Sequence, residues 1–121
     1  MEGAMRWAWI IGGLYVATGA FLLFACLHPL RDALDAHSLD LMIIGSTYQA
    51  LQGLALMVIA QGGTARVGAG LIAAGTAASC ARLYALVFAG VHPLMVIIPI
   101  GGAVTLLGWV VVILAKPGGR G

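Results

Sequence analysis

Arg82 is the one formal charge inside a long uncharged stretch of the 121-residue chain. A guanidinium stays protonated under essentially all conditions and presents a planar fork of N–H donors. The chemistry it offers is the holding of an anion: a carboxylate, a phosphate or a small acid. Arg82 lies nine residues before Val91, Gln49 nine residues after Asp40, and Thr18 nine residues before Leu27. At about 1.5 Å per helical residue, these three reach one depth below a common surface. Gln52 and Thr105 fall within about a turn of that level, and Tyr48 adjoins Gln49. Arg82, Gln49, Gln52, Tyr48, Thr18 and Thr105 therefore form a candidate polar layer. Two roles are open to its guanidinium. It is structural, satisfied by Gln49, Gln52, Tyr48 and a carbonyl near Pro99 or snorkelling to the headgroups. Alternatively it meets a carboxylate of another subunit, a lipid phosphate or a transported anion.

No acidic residue shares that level, since Glu2, Asp32, Asp35 and Asp40 all lie outside the apolar stretches. A mid-membrane carboxylate is the usual device of proton- or cation-coupled transport, so that chemistry is disfavoured. Cys26 and Cys80 lack the spacing of a metal or redox pair and read as small buried hydrophobes. His28 and His92 each stand beside a proline, in Leu27-His28-Pro29-Leu30 and Val91-His92-Pro93-Leu94, a weak internal echo. Neither these nor His37 share a ligand spacing with a Cys or a carboxylate, and all three histidines fall in or beside loops. No metal, haem or other cofactor is expected. The absence of a thiol, metal or acidic-histidine motif leaves no basis for an enzyme.

The elements that must position the layer follow from composition. Hydrophobic residues make up 62% of the chain, charged residues 8%, and the mean hydropathy is +1.07. Soluble domains carry about 25% charged residues, so this is an integral membrane protein. A net charge of +2, scattered along the chain, gives no nucleic-acid footprint. A hydrocarbon core of about 30 Å takes roughly 20 apolar residues per helix. That reading predicts one transmembrane domain, 1–121, with spans at about 7–27, 41–61, 67–91 and 94–115 and an outer loop at 28–40. A short amphipathic helix fits around Leu30 to Leu39. The tight connections at 61–66 and 90–93 make consecutive helices antiparallel, so the expected fold is an all-α, four-helix up-down bundle. Arg6, Arg66, Lys116 and Arg120 fall on one side of that path and only Arg31 on the other, which predicts cytoplasmic termini in a bacterial inner membrane. The first apolar stretch is too long for a secretory h-region, and Phe24 is bulky where a cleavage site needs a small residue.

Between helices in lipid, close backbone approach and hydrogen bonds hold the seams. Ala69, Ala73, Ala77 and Ala81 recur at four-residue spacing in the third span. The first offers Gly12, Gly13, Ala17, Thr18 and Ala20, and the fourth Gly101, Gly102, Thr105 and Gly108. Pro99 leaves the Met95 carbonyl without its helical partner and bends the start of the fourth span.

Gly19-Ala20-Phe21, Tyr48-Gln49-Ala50, Leu83-Tyr84, Pro99-Ile100-Gly101-Gly102 and Gly108-Trp109 together resemble a known family. It is that of the small four-helix membrane proteins catalogued as domain of unknown function 423, with eukaryotic relatives called transmembrane protein 256. The resemblance runs from about Gly12 to Ala115. It departs at polar positions: Leu22-Leu23-Phe24 stands where members often continue Gly-Ala-His, Gln52 where a His is common, and Cys80-Ala81-Arg82 in place of Ser-Gly-Ser. The chain resembles a divergent member, and the resemblance implies a membrane bundle and no reaction. The expected role is therefore a structural, accessory or self-assembling membrane component, in contact with the lipid bilayer and with its own copies or a larger complex. The alternative is a small oligomeric transporter or channel for an anion or small organic solute, using Arg82.

Overall fold

A computed structural model describes residues 5–62, 65–90 and 97–115. Four helices carry the chain: α1 (Arg6–Leu27), α2 (Ala36–Gly62), α3 (Arg66–Ala89) and α4 (Ile97–Leu114), with a 3-10 turn at Pro29–Arg31. Each is long and apolar enough to cross a membrane. The segment expected as an outer loop over 28–40 is shorter, because α2 begins at Ala36. The cause is local. The Asp35 carboxylate accepts the Ser38 N–H at 3.2 Å, and its carbonyl accepts that of Leu39 at 2.9 Å, so Asp35 serves as the N-cap. Hydrogen bonding from the Ser38 side chain, and then from its backbone N–H, holds the Asp35 carboxyl below its ordinary range. The helix expected over Leu30 to Leu39 is thereby divided between the 3-10 turn and the first turn of α2. At the other end of α3, Gly90 adopts a left-handed φ of 65° and its N–H reaches the carbonyls of Ala85 and Leu86. The His92 turn and Met95 lie outside the described residues.

Glycines set the helix pairing. A Cβ on Gly12 would stand 2.6 Å from the Gly53 carbonyl oxygen, and one on Gly19 2.9 Å from that of Ser46. From the first pair to the second, α1 advances seven residues while α2 retreats seven, so the two helices are antiparallel. The same step joins α3 to α4: a Cβ on Gly68 would lie 3.0 Å from the Gly108 oxygen, and one on Gly75 2.5 Å from that of Gly101. Such contacts bring backbones together where no side chain intervenes, the packing that lipid favours. Gly102 and Gly13 have nothing within 4 Å of an added Cβ. They are not seam glycines.

Backbone contact is heaviest between α1 and α2 and between α3 and α4, lighter between α2 and α3, and slight between α1 and α3. On α3, the glycines against α4 (Gly68, Gly75) and the residues towards α1 (Ala77, Ala81, Tyr84) occupy opposed faces at 3.6 residues per turn. The chain therefore runs up and down as two helical hairpins joined through α2 and α3, with α1 and α4 on opposite sides of that central pair. A core of Met5, Ala8, Leu56, Ala60, Ala69 and Ile72 closes one end, with Trp7 and Trp109 packed on it. Large apolar side chains such as Phe21, Val58 and Ile113 face outward. This is the reverse of a soluble protein and suits a lipid surround. Nearer the other end, each side of the central pair keeps a cleft.

Candidate functional site: two clefts beside the central helix pair

The first cleft, of about 220 Å³, lies between α1 and α3 with α2 at its back. Gln49 is its hub. A backbone carbonyl can only accept, so the atom within 3.1 Å of the Tyr15 carbonyl oxygen is the amide nitrogen, Nε2. That nitrogen also donates to Thr18 Oγ1, which in turn donates to the Leu14 carbonyl at 2.7 Å. Gln49 Oε1 accepts from the Tyr84 hydroxyl at 2.7 Å, and the Tyr15 hydroxyl donates to the Ala73 carbonyl at 2.8 Å. One glutamine thus links three helices. Thr76, on the cleft wall, is 1% exposed, and its hydroxyl has no hydrogen-bond partner among the described residues. Thr18, Ala77 and Ala81 lie exposed around the opening.

The second cleft, of about 600 Å³, lies between α2 and α4 with α3 at its back. Its walls are mostly apolar, from residues such as Ile44, Leu83, Ile98 and Leu106, with Gly45 and Gly102 leaving room. Trp109 Nε1 donates to Gln52 Oε1 at 3.0 Å, and Tyr48 stands one turn before Gln52 on α2. Ser79 on the α3 wall donates to the Ile98 carbonyl at 2.8 Å, and Thr105 to that of Gly101 at 3.0 Å.

The six residues expected as one polar layer are thus divided. Gln49 and Thr18 join in the first cleft, Tyr48, Gln52 and Thr105 line the second, and Arg82 lines neither. Arg82 is buried, at 9% exposure, on the face of α3 that carries Gly75 and Ser79 against α4. The hydrogen bonds of Gln49 run to Tyr15, Thr18 and Tyr84. Of the residues expected to pack, Gly101 and Gly108 meet Gly75 and Gly68, Ala73 is buried, Ala77 faces outward, and Gly102 lines the second cleft.

Tyr15, Thr76, Tyr84 and Trp109 do their work without having been singled out as polar-site residues. A signal existed for three of them: Tyr15 stands within a turn of Thr18, and Tyr84 and Trp109 belong to the family signatures. Nothing in sequence marks Thr76. Both cysteines are free and buried, with Cys80 Sγ 3.8 Å from the Gly45 oxygen. Among the described residues no group of three or more His, Cys, Asp or Glu could hold a metal ion.

Comparison with known proteins agrees with this architecture. A family model described as a protein of unknown function, DUF423, matches residues 17–102. The UPF0382 membrane protein SAB0533 of Staphylococcus aureus strain bovine RF122 / ET3-1 is 35% identical over 105 residues, covering 83% of each chain. The UPF0382 membrane protein SAUSA300_0565 of strain USA300 shows the same identity and coverage. No solved structure matches. Four apolar spans and membrane-protein relatives make this a multi-pass cell-membrane protein, and by the family match and the relatives' identity the chain belongs to the DUF423 family.

Proposed function

We propose that the protein is a non-catalytic, self-assembling or accessory component of the membrane, and that the α1–α3 face is where it assembles. The observation that carries this reading is the Thr76 hydroxyl, buried and without a hydrogen-bond partner among the described residues, on the wall of a cleft that opens between two membrane-spanning helices. Hydrocarbon tails offer no hydrogen bond, and a buried polar group without a partner costs free energy. A helix of a second copy or of a larger complex can supply both the cover and the bond. Ala77 and Ala81 at the opening let such a helix approach closely. The anion-path alternative draws no such support, since Arg82 lines neither cleft.

The orientation we propose puts both termini in the cytoplasm. Arg6 and Arg66 begin α1 and α3 and so share one end of the up-down path, while Arg31 follows α1 at the other.

Cysteine crosslinking tests the assembly. With Cys26 and Cys80 replaced by Ala, Ala77→Cys in membranes should give a crosslinked species, at twice the monomer mass for a homodimer or larger for a foreign subunit. Ala77→Leu should abolish the complex in native mass spectrometry by holding the backbones apart. No crosslinked species from Ala77→Cys, together with monomer alone in native mass spectrometry of the unsubstituted protein, would sink the proposal.

A further inference from the structure

The second cleft carries a different chemistry. We infer that the α2–α4 cleft is a binding site for a membrane-dissolved, apolar molecule bearing a neutral carbonyl acceptor, of the isoprenoid-quinone type. Its volume of about 600 Å³ and its apolar walls broken by a few polar groups are those of a small-molecule site. It opens between two membrane-spanning helices, so what enters comes from the bilayer.

The polar groups select the ligand. An indole N–H only donates, so the atom that meets Trp109 Nε1 is Gln52 Oε1, and the amide orientation is thereby settled. Gln52 Nε2 is left as a donor, and neither it nor the Tyr48 hydroxyl has a hydrogen-bond partner among the described residues. Tyr48 and Gln52 are four residues apart on α2, hence on one face, and both line the cleft. Two neutral donors there call for an uncharged acceptor, and among the described residues no carboxylate or basic side chain lines this cleft to favour an ion.

Depth narrows the class further. The uncharged part of α2 begins at Leu41, so Tyr48 and Gln52 lie about 10 and 16 Å inside it at 1.5 Å per residue. The ester carbonyls of phospholipids sit at the edge of a core about 30 Å thick and do not reach this level. A carbonyl carried on a ring that dissolves in the hydrocarbon does. Trp109 and Tyr48 supply aromatic surface for such a ring.

The probe is decylubiquinone, added to the protein in lipid nanodiscs with Trp7 and Trp9 replaced by Phe, so that emission reports Trp109 alone. Quenching should saturate. Gln52→Leu and Tyr48→Phe should each weaken it roughly two- to tenfold, the effect of losing one neutral hydrogen bond. Tyr48→Phe removes a hydroxyl with no partner among the described residues and leaves the fold intact, which keeps the test valid if Gln52→Leu misfolds. Linear, unsaturable quenching, or saturable quenching that Tyr48→Phe leaves unchanged, would overturn the assignment. Neither result bears on assembly through the α1–α3 face.

Discussion

At the scale of single residues, Gln49 is the position on which most depends. Its amide satisfies a carbonyl of α1, a hydroxyl of α1 and a hydroxyl of α3, and it is 6% exposed. Gln49→Leu has nearly the same volume but leaves the Tyr84 hydroxyl without its acceptor. A buried group orphaned in this way costs about 1–3 kcal/mol, although membrane hydrogen bonds fall towards the low end of that range. The expected outcome is a lower thermal midpoint in detergent, read by tryptophan emission, with Tyr84→Phe partly restoring it in the double variant because the orphan is removed. Additive losses would mean that the two groups do not interact. Arg82, the most conspicuous residue in the sequence, is buried on the face of α3 that carries Gly75 and Ser79 and lines neither cleft.

At the scale of elements, the two hairpins use one device. Gly12 and Gly19, Gly68 and Gly75, and Gly101 and Gly108 are each seven residues apart, and each of these glycines lies against a neighbouring helix. Seven residues make nearly two helical turns, so such glycines share a face and let two backbones run close over that length. Gly75→Ala would set a Cβ 2.5 Å from the Gly101 carbonyl oxygen, and backbone cannot swing aside as a side chain can. Overpacking of this kind costs about 1–3 kcal/mol, which outweighs the roughly 1 kcal/mol that Ala gains over Gly in helix propensity. At Gly102 an added Cβ meets open space, and only the propensity gain applies. Gly75→Ala should therefore lower the unfolding midpoint and Gly102→Ala should hold or raise it, measured side by side by circular dichroism. Equal effects at the two sites would refute the seam assignment.

At the scale of the whole molecule, the protein is an up-down set of four helices whose outer members, α1 and α4, lie on opposite sides of the α2–α3 pair. This arrangement leaves two separate clefts, one beside the Gln49 hub and one beside Tyr48 and Gln52, in place of a single central cavity. The orientation proposed across the membrane rests on the basic residues at the helix ends. A reporter fused after Gly121 should read cytoplasmic, and one inserted near Ala36, before the exposed start of α2, should read external. An external C-terminus would reverse the orientation and place the Asp35 cap inside the cell.

The sequence by itself determined that the chain crosses the membrane four times, because uncharged stretches of spanning length are a property of composition and order alone. Of the small residues on its stripes, Gly12, Gly101 and Gly108 lie against a neighbouring helix, whereas Gly13, Gly102 and Ala77 do not, and Gly19, Gly68 and Gly75 were not marked. What it could not determine was rotation. Depth along a helix is read by counting residues, which is why Gln49, Arg82 and Thr18 looked like one layer. Which face each side chain occupies depends on how neighbouring helices turn towards one another. The glycine contacts set that turn, send Arg82 towards α4, bring Gln49 to Tyr15 and Tyr84, and leave Tyr48 and Gln52 in the second cleft. The N-cap at Asp35 was local and could have been read from Asp35 to Ser38. The unpartnered Thr76 hydroxyl could not, since burial without a partner is a fact of tertiary packing.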